Sequence, residues 1–462
     1  MRPGVIRAET LVYRGGRQAT DSKLFRAVHE LAAADIAVNV AVKEVQQLLW
    51  KILSFHSFHA TWLLSGAKDT TSSLAESRRH RATLASFARF VMTRRSILKN
   101  AALTLAAPMI NGGRFAVFAQ SKTEYSTRTL DLIHRSTVID MLGLLTLDFE
   151  KLYTWQRVPE SFQISDFQKL KDSGTTVFHP AVGHRGRDIY AESLRDMTLW
   201  NNFVSRHSDY FVRIDGPADL TGVKSSGKIG ILIGEQNSEH FRSVEDVDLF
   251  YRLGQRVSQL TYRGNRIGSG AGDEADGGLS DYGARIVERM NKLGMAVDVS
   301  HCGDRTTLDT FEASQKPVLV THSNCRALVP NRRRCKTDEV IKKMAVKGGV
   351  MGITLIRSFV SARGPATIEH ALDHIDRVAR LSGVEHIGIG TDVDLDGRAK
   401  LPSEKLKARQ INPATTDLDR INYRKKIYDL TEGLIRRKYT DRNIELILGG
   451  NFQRALCQIW AA

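Results

Sequence analysis

The chain has 462 residues, 42% hydrophobic and 26% charged, enough apolar material for one large barrel or two to three ordinary domains and unlike a disordered or fibrous protein. Four cysteines are too few for a disulfide scaffold, and no run of 18 apolar residues marks a membrane-spanning helix. The formal charge of +16 sits mainly at the front: residues 1–119 hold 17 Lys and Arg against 7 Asp and Glu, leaving 50 against 44 for residues 120–462, so nucleic acid is not the expected partner.

Residues 1–91 carry no clear motif beyond the Arg-rich stretch Arg78-Arg79-His80-Arg81 and weakly helical apolar patches between Phe25 and Phe58. Then Thr93-Arg94-Arg95-Ser96-Ile97-Leu98-Lys99 precedes an apolar run from Ala101 to Ile110, and Val117-Phe118-Ala119 forms a small-residue exit before Gln120. A charged start, a short apolar stretch and such an exit make a signal peptide over 92–119. The paired arginines resemble a twin-arginine signal, which implies the twin-arginine export machinery as a partner and the periplasm or cell envelope of a bacterium as the destination. Met92 is then the expected start, with 1–91 an over-extended gene model or disordered extension; the alternative is a real N-terminal domain.

From residue 130 onward, eight short β-rich runs alternate with helical patterns: 137–142, 175–182, 229–236, 257–262, 296–301, 317–323, 348–355 and 386–392. Leu279, Tyr282, Ile286, Met290 and Leu293 recur at helical spacing and stop at Gly294; Ile368, Leu372, Ile375 and Ala379 do so behind Thr367 as N-cap. Eight apolar strands alternating with helices predict an α/β protein of the (β/α)8 TIM-barrel type over 120–462, with C-terminal helices.

In such a barrel the strand ends converge at one mouth, where catalytic groups sit. Glu235, Tyr262, His301, His322 and Asp392 end five of the runs, and His179 lies near the end of a sixth. Two histidines and a carboxylate suit zinc, which leaves a position for water in catalytic sites. Asp392 can carry the proton between that water and a leaving amine.

The stretches Gly234-Glu235, Leu260-Thr261, Gly278-Leu279-Ser280, Asp298-Val299-Ser300-His301, Thr321-His322-Ser323, Arg334 ahead of Asp338, Gly390-Thr391-Asp392-Val393-Asp394 and Gly450-Asn451-Phe452 lie in the order and spacing of a known family. Residues 130–460 resemble the membrane (renal) dipeptidase family of zinc peptidases, a branch of the metal-dependent hydrolase barrels. The resemblance implies dipeptides as substrates, Glu235 as a metal bridge, His301 and His322 as ligands of one zinc, Asp392 as the proton-transfer residue and Arg334 as the holder of the substrate carboxylate, with neighbours Arg332 and Arg333 open for that role. It also leaves a homodimer open.

Two departures accompany the match. Leu142 and Leu144 stand where the family has a His-x-Asp pair for the other zinc, and neither can ligate. Tyr262 stands where the family has a carbonyl-polarising histidine, and its hydroxyl can donate to a developing oxyanion. The expectations are a one-zinc hydrolase on Glu235, His301 and His322, or a second metal rebuilt with His179 or Asp140. The alternatives are a non-catalytic peptide- or carboxylate-binding barrel and a hydrolase of another amide, lactone or β-lactam.

Other signals carry less. Asp392-Val393-Asp394-Leu395-Asp396-Gly397 opens like a calcium loop, but Ser403 stands where its glutamate should be. The four cysteines form no C-x-x-C, and Cys302, Cys325 and Cys335 read as buried free thiols rather than ligands. Gly268, Gly270 and Gly272 lack the spacing of a phosphate fingerprint.

Overall fold

Eight of the apolar runs become strands, all paired in parallel. They are β1 (Ile139–Asp140), β2 (Val177–Phe178), β3 (Ile229–Ile231, continued as Gly234–Glu235), β4 (Val257–Gln259), β5 (Ala296–Asp298), β6 (Val320–Ser323), β7 (Met351–Ile353) and β8 (Ile387–Ile389). The computed structural model describes residues 114–116 and 124–461, apart from 182, 184, 185 and 409–411. The segment 92–119 expected to be a signal peptide and residues 1–91 therefore lie outside the described residues, except Arg114–Ala116, which pairs antiparallel with Glu124–Ser126.

Registers run round a closed ring. Asp140 pairs with Phe178, Phe178 with Ile231, Glu235 with Ser258, Gln259 with Asp298, Asp298 with Leu319, Ser323 with Ile353, Ile353 with Ile389, and Ile389 with Asp140. The pairing partner changes inside β3, where Leu232 N–H donates to Phe178 O and Arg256 N–H donates to Ile233 O, each at 2.9 Å. This is the predicted (β/α)8 barrel.

One strand of the parallel sheet was not foreseen. Phe211–Arg213 pairs in parallel with Ile229–Ile231, and β4 takes over the same edge at Gly234–Glu235. Its three residues, Phe-Val-Arg, are too short to stand out as an apolar run.

Apolar residues alternate along the strands between two faces. Val138, Val297, Val318 and Met351 join the cluster that packs against the surrounding helices, whereas Ile139, Ala296, Leu319 and Val350 join an inner one. Helix α1 (Asp281–Leu293) starts where Ser280 Oγ accepts from Gly283 N–H at 2.9 Å and stops at Gly294, whose φ of +80° is the left-handed C-cap. Helix α2 (Ile368–Ser382) starts behind Thr367, whose N–H donates to His370 Nδ1 at 3.2 Å, and buries Leu372, Ile375 and Val378.

The C-terminal helices α3 (Lys426–Arg436) and α4 (Asn451–Trp460) complete the molecule. Phe452, Ala455, Leu456 and Ile459 of α4 join the inner cluster at the starts of the strands. Gly388 permits this: a Cβ there would stand 2.2 Å from the Phe452 ring. The start of the barrel is plugged with hydrocarbon.

Candidate metal and catalytic centre

Strand direction places the candidate residues at one end. His179 follows β2, Glu235 ends β3, His322 lies within β6, and Tyr262, His301 and Asp392 each follow the strand before them by three residues. His301 and His322 meet: their Nε2 atoms are 3.1 Å apart. The Tyr262 ring stacks on His301 with centroids 4.1 Å apart and planes at 23°. Glu235 and His179 are buried at 1% exposure.

The hydrogen bonds behind His322 fix its tautomer. Thr321 Oγ1 donates its only proton to Asp298 Oδ2 at 2.7 Å, so its contact at 2.8 Å with His322 Nδ1 must receive the imidazole N–H. His322 Nε2 is left as a lone pair facing His301, the arrangement by which a carboxylate orients a metal-binding histidine. Burial, reinforced by the charge of Arg334, holds His322 well below the usual histidine range, so it is neutral at ordinary pH. His179 is oriented likewise: its Nδ1 lies 2.8 Å from Leu232 O, which can only accept, and burial lowers its pKa.

Asp298 is the anchor of this arrangement. Its Oδ1 accepts from the N–H groups of Ser300 at 2.9 Å and Thr321 at 3.0 Å, and Ser300 Oγ accepts from His322 N–H at 3.0 Å. Lys336, buried at 1% exposure, donates to Val299 O at 2.7 Å and Cys302 O at 2.9 Å, bracketing the turn that carries His301. Asp298 and Lys336 were not among the expected site residues. The signal for Asp298 was present, since it closes a strand beside Thr321; the signal for Lys336, two residues after Arg334, was not.

Asp392 takes a backbone that side chains seldom adopt, with φ of +56°, held by its N–H to Leu142 O at 3.0 Å. Burial pushes its carboxyl up to about 6, against the opposing pull of Arg398 and Arg334. Arg334 lies across β6, donating to His322 O at 2.8 Å and Ser323 Oγ at 3.2 Å. Arg332 and Arg333 are exposed, and Arg333 reaches Asp273 O instead.

Asp140 has another use than the one expected of it. Its Oδ1 accepts from Thr391 N–H at 2.7 Å and Leu142 N–H at 3.3 Å, and its Oδ2 accepts from the Thr391 hydroxyl at 2.5 Å. Both oxygens serve the junction of β1 and β8. Leu142 and Leu144 form a buried apolar cluster with Ala181, with Leu147 against it. The loop with alternating aspartates is likewise used internally: Asp394 accepts from Leu147 N–H at 2.6 Å, and Asp396 pairs with Arg424 at 2.6 Å. Cys302, Cys325 and Cys335 are buried free thiols, and burial pushes Cys325 up to about 12 and Cys335 to about 11.

Two imidazole nitrogens on one zinc at Zn–N of about 2.0–2.1 Å and a tetrahedral angle would lie roughly 3.3 Å apart, close to the 3.1 Å between His301 and His322. Among the described residues no group of three or more His, Cys, Asp or Glu is gathered closely enough to hold an ion as it stands. The pair fits one metal, with Glu235 the carboxylate at the same mouth. The apolar cluster does not fit a second.

A parallel barrel with its titratable residues at the C-terminal mouth is the architecture of the TIM-barrel enzymes. Within it, the chain belongs to the membrane dipeptidase family (peptidase family M19), whose model matches residues 102–462. It is 34% identical to the dipeptidase verJ of Clonostachys rogersoniana over 215 residues, 45% of this chain and 55% of that protein, so it spans about half the length of that relative. Among solved structures it is similar to an amidohydrolase from Pseudomonas aeruginosa, with 27% identity, a TM-score of 0.61 and 72% of this chain on 99% of that one. It shares its fold with a family M19 metallopeptidase, the dipeptidase AC, at 19% identity, a TM-score of 0.59, and 71% of this chain on 99% of that one. Among the described residues no helix is long and apolar enough to cross a membrane.

Proposed function

We propose that this chain is a dipeptidase-like hydrolase working with a single zinc on His301, His322 and Glu235. The observation that carries the reading is the convergence of the two histidine Nε2 atoms, with His322 held as a bare lone pair by Asp298 and Thr321. When bound, zinc supplies a Lewis acid that brings the ionisation of water near neutral pH. Arg334 has N–H groups left over from His322 O and Ser323 Oγ, and these hold the substrate carboxylate. The Tyr262 hydroxyl donates to the oxygen of the scissile carbonyl as charge develops there. Asp392 accepts the proton from the attacking water and returns it to the leaving amine, for which a pKa of about 6 is well placed. The arginine-led segment from Thr93 supports export by the twin-arginine route to the cell envelope, tested by sequencing the N-terminus of the secreted protein.

The test is turnover of a dipeptide panel by the zinc-loaded chain, with N-acyl amino acids and lactones alongside. Hydrolysis of dipeptides that disappears in Asp392→Asn supports the reading; hydrolysis of the other substrates alone moves the bond. A second reading, a barrel that binds a carboxylate ligand without cleaving it, is supported by Leu142 and Leu144, which stand buried in an apolar cluster where the resemblance implies ligands of the other metal. Ligand binding without turnover in the zinc-loaded chain would select it.

A further inference from the structure

At the end of the barrel away from the histidines lies a cleft of about 590 Å³, a volume suited to a small ligand. Its lining comes from segments just ahead of three strands: Ile133 before β1, Thr175 before β2, and Lys224 and Lys228 before β3, with Lys171 and Tyr428 beside them. His134 adds a further titratable base. The single acid on the wall, Asp131, is paired with Arg135 at 3.4 Å.

The lysines are anchored and keep donors in reserve. Lys171 Nζ donates to Gly227 O and Lys224 Nζ to Ile133 O, each at 3.0 Å, so each ammonium keeps two of its three hydrogens. Burial and the charge of Lys171 push Lys224 down to about 8, a cost that an anion between them would relieve. Thr175, 4% exposed, has a hydroxyl without a hydrogen-bond partner among the described residues. A buried hydroxyl left so is uncommon. Leu130, Ile133 and Tyr428 give the cleft an apolar side.

We propose that this cleft binds a small organic phosphate, its phosphate on Lys171, Lys224 and Lys228 and its organic part against Leu130, Ile133 and Tyr428. Catalysis on this fold belongs to the other end of the barrel, so the ligand is neither substrate nor product of the metal site.

The experiment is calorimetric titration of the full chain at low ionic strength with phenyl phosphate and with inorganic phosphate, comparing the native protein with Lys224→Gln and Lys228→Gln. Saturable binding, tighter for phenyl phosphate and weakened tenfold or more by either variant, is the expected result. Lys228→Gln removes none of the anchoring contacts described and keeps the test valid should Lys224→Gln fail to fold. No saturable binding overturns the proposal. Binding that both variants leave unchanged overturns it too, since the anion would then sit elsewhere, at the metal site for example. Inorganic phosphate binding as tightly as phenyl phosphate overturns the organic ligand.

Discussion

Asp140 grips Thr391 with both carboxylate oxygens, one on the backbone N–H at 2.7 Å and one on the hydroxyl at 2.5 Å. Asp298 holds Thr321 in the same way, at 3.0 Å and 2.7 Å. Each aspartate ends a strand and grips the neighbouring one, and each threonine immediately precedes a residue of the site, Asp392 in one case and His322 in the other. The barrel uses one device twice, once to aim a proton carrier and once to aim a metal ligand.

Thr391→Val removes the hydroxyl and leaves Asp140 Oδ2 short of a partner. A small displacement of Asp392 is expected to lower kcat about 10- to 100-fold while bound zinc stays constant. Steady-state kinetics with elemental analysis checks this; a parallel loss of metal would mean that the clasp serves the ligands instead.

Thr321→Val frees the tautomer of His322. Loss of such an orienting partner typically costs about 10- to 100-fold in metal affinity, measurable by competition with a chromophoric chelator. Unchanged affinity would remove His322 from the ligand set.

Asp392→Asn is expected to abolish turnover and, in metal-free protein, to change the pH dependence of stability. Burial raises the folded carboxyl from 3.8 to about 6, so its contribution is fully present below pH 3.8 and is lost as pH rises to about 6. At about 1.4 kcal/mol per pH unit the loss is about 3 kcal/mol. Melting curves of the native protein should therefore fall relative to the asparagine variant across that window and run parallel above it. Asparagine tolerates the left-handed backbone at this position, so the substitution adds little strain of its own.

Leu142→Ala tests the apolar cluster. A fully buried leucine cut to alanine costs about 2–5 kcal/mol, so denaturant melts should shift markedly while the zinc count stays the same. Altered metal content would give that position a part in the site.

Much of the barrel was legible because its strands are apolar on both faces and its helices carry plain stripes and caps. The run at 229–236 showed as one strand, and its change of pairing partner at Leu232–Ile233 did not, because such a change leaves the hydrophobic pattern intact. Phe211–Arg213 escaped because three residues carry no periodicity. At the site, residues that point into the mouth were readable as strand-end polar groups. Those that hold them were not: Asp140 looked like a possible ligand because a buried strand-end carboxylate reads the same whether it meets a metal or a threonine. Lys336 gave no signal at all, since a lysine in a basic loop reads as exposed until the fold buries it under Val299 and Cys302.

The most direct test is metal stoichiometry of the purified full chain after equilibration with zinc and removal of loose ions, alongside His301→Ala and His322→Ala. The account predicts one zinc per native chain and none in either variant. Folded protein that holds no metal, or two zincs per chain, would contradict it.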